Sequence, residues 1–194
     1  MTKHLLRAVQ LLCVSIVCTA CLSEIKLPVE ESEKLMPLRA GDLAPYGYEL
    51  EGIERYESFT KTRLSDGSYE LEYEFETPDS EEEHPLFLYV IVTVEKNDLD
   101  AVLSHGAERF GAMHGLRKGG IKEREVKNFY RYGDVSSFHV LEMDGQPVGN
   151  LFSARKGRRI YTLMITGMSF DDPQVWRELL QARLRQFSTY SPAS

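Results

Sequence analysis

Between residues 69 and 76 the chain alternates without a break: Tyr69, Leu71, Tyr73 and Phe75 against Glu70, Glu72, Glu74 and Glu76. A period of two puts one set on each face of a β-strand. The run before it, 53–64, is joined to it through Ser65-Asp66-Gly67-Ser68. Asp-Gly between two alternating runs predicts a hairpin. A two-residue turn would set Arg63 opposite Glu70 and Lys61 opposite Glu72, favourable cross-strand pairs. The glutamates then form a solvated face. Carboxylates on alternate strand residues stand about 6.6 Å apart, too loose for a calcium cage without loop ligands. Residues 86–94, LFLYVIVTV, are apolar on both faces and predict a central strand covered on both sides.

The period then changes. Asn97 or Asp98 caps a predicted helix whose buried stripe would be Leu99, Val102, Leu103, Phe110 and Met113, with Gly106 and Ala107 allowing close approach. Gly115 can end it, and Gly119-Gly120 make a turn. Residues 121–132 read as a polar, partly exposed strand. Three further strands, 135–143, 148–156 and 158–166, form an antiparallel meander turning at Asp144-Gly145 and Lys156-Gly157, with Phe152 facing Tyr161 across the last hairpin. Asp171-Asp172-Pro173 opens the final helix. Its stripe is Trp176, Leu179, Leu180, Leu184 and Phe187. Arg177, Arg183 and Arg185 would face water, where they suit the helix's negative end.

Ahead of these elements lies a different kind of stretch. Lys3 and Arg7 precede the uncharged run 8–20, after which the chain turns polar and acidic. This is the plan of an export signal, and the run is shorter than the ~20 residues a membrane helix needs. Thr19-Ala20-Cys21 resembles a bacterial lipobox, in which the cysteine is acylated and becomes the new N-terminus. Cys18 stands where that motif usually has Leu. An ordinary peptidase cut near Ala20 and an uncleaved anchor are the competing readings. All three cysteines, Cys13, Cys18 and Cys21, lie in this stretch, so the exported body has no second thiol and no internal disulfide. Two or three acyl chains at Cys21 would hold it firmly to a membrane. By resemblance to Gram-negative lipoproteins, Leu22 after the cysteine points to the outer membrane, on its periplasmic face.

The expected organisation is therefore a leader over 1–20, an acidic, proline-containing tether over 21–47, one domain over 48–190 and a short tail over 191–194. As a flexible chain the tether would reach about 25–30 Å, although Leu35-Met36 and Leu38 could dock it on the domain. Of the 23 Lys+Arg, Lys3 and Arg7 fall in the leader, leaving 21 against 30 Asp+Glu, net −9. That balance argues against nonspecific nucleic-acid binding. Residues 22–100 carry net −14 and residues 101–194 net +5. Such a split can mark a partner surface. The plainer expectation is that the two halves interleave in one sheet and neutralise each other.

The chemistry search returns little. GxSxG, HExxH, GxGxxG and a phosphate loop are absent from the sequence, and the body after Cys21 contains no CxxC. His139 is the one core-region candidate for a triad, with Ser136, Ser137, Asp134 and Asp144 near it in sequence. Alternation places it opposite Phe138 and Val140, hence outward and exposed. His84 beside three glutamates reads as a solvated loop. The expectation is a non-enzyme with no cofactor and no metal site. Arg155, Lys156, Arg158 and Arg159 gather at one turn and form a candidate interaction surface, for lipid headgroups or for the acidic half of another copy. Arg117, Lys118, Lys122, Arg124 and Lys127 make a second basic group.

The order of hairpin, central strand, helix, four strands and C-terminal helix, together with the ending GRRIYTLMITG…DDPQVWRELL, resembles the PsbP-like fold found in small bacterial lipoproteins of the DcrB type. The resemblance implies an α+β domain, an antiparallel sheet with helices on both faces. A cystatin-like α+β roll is the alternative. No catalytic residues come with the resemblance, and fold likeness alone says little about function. The functional expectation is a membrane-anchored, noncatalytic module for protein binding or envelope assembly. The alternative is a small-ligand or lipid carrier using an apolar pocket between sheet and helix.

Overall fold

The computed structural model describes residues 24–48, 55–77 and 85–192. Cys21 and the His84 loop lie outside the described residues. The strands are β1 (Ile25–Leu27), β2 (Glu57–Arg63), β3 (Tyr69–Glu76), β4 (Phe87–Val94), β5 (Lys122–Glu125), β6 (Val135–Met143), β7 (Gln146–Lys156) and β8 (Arg159–Thr166); the helices are α1 (Asp98–Lys118) and α2 (Pro173–Thr189). The strands form one sheet in the order β1-β2-β3-β4-β8-β7-β6-β5, and every neighbouring pair is antiparallel. The fold is α+β.

One face of this sheet is almost wholly apolar. Leu71, Tyr73, Phe75, Val90, Phe138, Phe152, Tyr161 and Leu163 meet Trp176, Leu179, Leu180, Leu184 and Phe187 of α2, the stripe expected from the sequence. Asp172 caps α2 by accepting from the Gln174 amide at 2.8 Å, with Pro173 in the first turn where its missing N–H costs nothing. Arg183 differs from expectation. It is drawn inward to pair with Asp42 at 2.5 Å and donates to the Pro37 carbonyl.

The same face is completed by the segment expected to be a tether. Residues 24–48 form β1 and two 3-10 turns, Glu33–Leu35 and Ala40–Tyr46, and place Met36, Leu38, Ala40 and Leu43 at zero exposure. Docking is thus the outcome, through Met36 and Leu38 and also Ala40 and Leu43, whereas Leu35, the third residue that suggested it, is 63% exposed. Phenolic hydroxyls from the sheet satisfy the segment's backbone: Tyr73 accepts from the Ala40 amide at 2.8 Å and Tyr161 from the Leu38 amide at 3.3 Å. Buried Lys61 pairs with buried Glu33 at 2.7 Å, and Tyr190 donates to the same carboxylate at 2.6 Å. Burial works to raise the Glu33 carboxyl, but these donors outweigh it and hold the group below its ordinary range.

Two registers and the span of one strand depart from expectation. Arg63 pairs with Tyr69, Thr62 with Glu70 and Lys61 with Leu71, a shift of one residue. The β2–β3 loop is one residue longer than a two-residue turn, closed by Leu64 N–H donating to the Ser68 carbonyl, and Asp66 accepts from both the amide and hydroxyl of Ser68. Phe152 pairs with Leu163 and Ala154 with Tyr161, because the last hairpin turns at Gly157-Arg158. The expected strand over 121–132 is confined to Lys122–Glu125.

Nor do the two charged halves interleave. Strands β1–β4, from the acidic half, occupy one side of the sheet and β5–β8, from the basic half, the other, with β4–β8 as the only ladder between them among the described residues. If residues 24–48 belong to the core, Leu38→Ala and Leu43→Ala should each lower unfolding free energy by about 2–5 kcal/mol in urea titrations. A change within about 0.5 kcal/mol would return the segment to a tether.

Candidate functional site

The second face of the sheet is half polar and is covered by α1. Asn97 caps α1 by accepting from the Asp100 amide at 2.9 Å. The expected buried stripe faces outward: Leu99, Leu103 and Phe110 are 68, 64 and 71% exposed, Val102 is also exposed, and Met113 is only partly covered. The helix turns Ala101, His105, Gly115 and Leu116 inward instead, and Gly106 makes no close approach. The sheet beneath explains the orientation. It offers Thr93, Thr162, Ser153, Ser137 and His139, all buried, beside Leu141, Leu151 and Met164. At the far end α1 meets apolar partners: Leu116 packs with Phe87, Ile121, Leu141, Leu151 and Met164.

Small inward residues leave space. Between α1 and strands β3, β4 and β8 lies a cavity of about 280 Å3. Its apolar wall is Ile91, Ala112, Leu116, Leu151 and Met164. Its polar wall includes five acids, Asp66, Glu70, Glu72, Glu95 and Glu108, and no lysine or arginine. The glutamate stripe is therefore not a freely solvated face: Glu70, Glu72 and Glu74 are partly buried, and the first two line the cavity. Tyr89 donates to Glu72 at 3.1 Å, and Glu108 accepts from Thr93 at 3.0 Å and Thr162 at 3.3 Å.

Crowded carboxylates without a matching base resist ionisation. Burial pushes the Glu108 carboxyl up to about 8; Glu70 and Glu95 push the same way, against the two threonine hydroxyls. Burial, followed by Glu72, Glu24 and Glu95, pushes Glu70 up to about 7 against Lys26. Glu74 is raised by burial and Glu72.

His139 corrects another expectation. It is on the face opposite Phe138 and Val140, as alternation requires, but that face is covered too, and His139 is 2% exposed. Burial lowers its pKa and that of His105, with Arg109 acting on both. Neither His139 ring nitrogen nor His105 Nε2 has a hydrogen-bond partner among the described residues. No group of three His, Cys, Asp or Glu side chains able to hold a metal occurs among the described residues.

The structure places Arg155, Lys156, Arg158 and Arg159 together at the β7–β8 turn. Arg155 pairs with Asp134 at 3.3 Å, Lys156 stands over the Tyr132 ring, and Arg159 donates to the Tyr190 carbonyl at 2.5 Å. In the second basic group, Arg117 pairs with Glu123 and Arg124 with Glu142. A pocket between sheet and helix was the alternative expectation, as an apolar one; its acidic lining was not legible in the sequence. Its signal was present in Glu70 and Glu72, but nothing in the alternation shows that a helix lies over them.

The raised carboxyls fix the sign of a pH effect. A folded-state pKa above the unfolded value adds stability at low pH that is lost as pH rises through the folded value. The urea midpoint should fall from about pH 4.5, the ordinary carboxyl value, to about pH 8, and Glu108→Gln should flatten that fall; an unchanged slope would refute burial of this carboxyl. No protein-family model, no curated protein and no solved structure matches the chain.

Proposed function

We propose that this protein is a membrane-anchored, noncatalytic carrier that holds an amphipathic amine in the cavity beneath α1. The observation that carries the reading is the lining itself, an apolar wall facing five acids with no basic side chain among them. An alkyl chain would lie against Leu116, Leu151 and Met164. An ammonium group would supply the charge that Glu70 and Glu108 lack. A volume near 280 Å3 sits at the small end of ligand pockets. The assembly-module reading is the second one, favoured by the outward apolar stripe of α1.

Anchoring through acylated Cys21, on the periplasmic face of an outer membrane, belongs to the same proposal, supported by the leader pattern of residues 1–21. So does the PsbP-like assignment, which the antiparallel sheet with one helix on each face favours over a single-helix roll.

Protons compete with an ammonium ligand for the same carboxylates. Dodecylamine should bind the purified chain in calorimetric titrations, more tightly as pH rises through about 7 and 8. Laurate should not bind, and Glu70→Gln combined with Glu108→Gln should abolish amine binding. Equal uptake of laurate, or amine binding indifferent to these variants, would overturn the carrier reading. For the anchor, Cys21→Ala should move the protein from the membrane to the soluble fraction and remove palmitate label. Unchanged fractionation would refute acylation.

A further inference from the structure

The two turns β2–β3 and β7–β8, the C-terminal end of β4 and the start of α1 all lie at one end of the sheet. The register shows it: Tyr69 pairs with Val94, Val94 with Arg159, and Lys156 with Arg159. Glu95 N–H donates to the Arg158 carbonyl at 2.9 Å, linking the end of β4 directly to the β7–β8 turn. The chain enters the fold at this same end, because Ile25 pairs with Arg63. The β6–β7 turn, Asp144-Gly145, is at the opposite end.

This end is unusually apolar for a surface. Ile25 is 56% exposed, Leu99 and Leu103 are 68 and 64% exposed, and Val102 and Val135 are also open. Lys156 and Arg158 stand beside them with no ion-pair partner among the described residues. Acids are present too: Asp134 is paired with Arg155 and Asp100 with Lys96, Asp98 lies close to Gly157, and Glu24 and Asp66 are exposed at this end. Cys21 precedes Ile25 by four residues, a reach of at most about 14 Å. An acyl group at Cys21 therefore holds this end against the bilayer, and no long tether lets it turn away.

We infer that this end of the sheet rests on the membrane surface, with Ile25, Leu99, Val102 and Leu103 at headgroup depth and the Lys156–Arg158 turn against anionic headgroups. The inference rests on acylation of Cys21 and is separate from the ligand in the cavity. The partner it commits to is the bilayer: the short connection to Cys21 brings lipid to this end whatever else the protein meets.

The test uses the acylated protein in vesicles of phosphatidylethanolamine and phosphatidylglycerol. The mature chain has no thiol besides Cys21, so Leu103→Cys and Asp144→Cys each accept one fluorophore. Nitroxide-bearing lipid should quench the label at position 103 several-fold more than the label at 144. Lys156→Glu with Arg158→Glu should shrink that difference while leaving the protein vesicle-bound. Equal quenching at both positions, with acyl mass present, would overturn the docking and leave the anchor standing. A label at 103 shielded from both lipid nitroxide and an aqueous quencher would mean that protein covers the stripe, and would also overturn it. An unmodified Cys21 would bring down both.

Discussion

A sheet with two faces has two covers to find, and this chain has apolar residues enough to seal only one of them. Phe75, Phe138, Phe152 and Tyr161 on the first face share one buried cluster with Trp176 and Phe187, and Phe138 meets Trp176 and Tyr161 meets Phe187 edge to face. The second face carries Thr93, Ser137, His139, Ser153 and Thr162 in positions where a sealed interface would want Val or Leu. A helix presenting Leu and Phe to that surface would strand buried hydroxyls without partners. The helix presents Ala101, His105 and Glu108 instead, and two threonines find an acceptor in Glu108. The cavity, the raised carboxyls and the outward apolar stripe all follow from that one mismatch.

The N-terminal segment is the other half of the same solution. α2 alone does not span the apolar face. Met36, Leu38, Ala40 and Leu43 fill what remains, and a buried ion pair between Glu33 and Lys61 fixes their position. Such a pair adds little net stability, since desolvation offsets most of its attraction, but losing one partner leaves a buried charge alone. Here Tyr190 and the Glu30 amide complete the carboxylate's hydrogen bonds, so the pair is well satisfied and specifies one placement of the segment.

The sequence is most legible where burial is one-sided. The stripe of α2 can be read directly because its apolar residues face the core while most of its polar residues face water. The reading of α1 fails for an instructive reason: periodicity shows that a helix has an apolar side, and says nothing about which side the rest of the protein will accept. His139 fails in the same way, since alternation names its face but not the helix that covers it. The β2–β3 register fails on one residue. Asp66 bonds to Ser68 and lengthens the loop, which moves Lys61 from beside Glu72 to the core side, where Glu33 meets it. The segment 24–48 shows no period because it is built of short turns whose few buried residues are irregularly spaced.

Glu33 and Tyr190 touch across 157 positions, and Arg183 reaches back to Pro37 across 146. The first part of the domain to leave the ribosome is therefore completed by nearly the last. Until the final helix is delivered, Met36, Leu38 and Leu43 have no aromatic wall to enter, and the early strands present an open apolar face. The contacts that complete this face thus join segments delivered early and late in synthesis, and the face is covered when residues 24–48 and α2 meet.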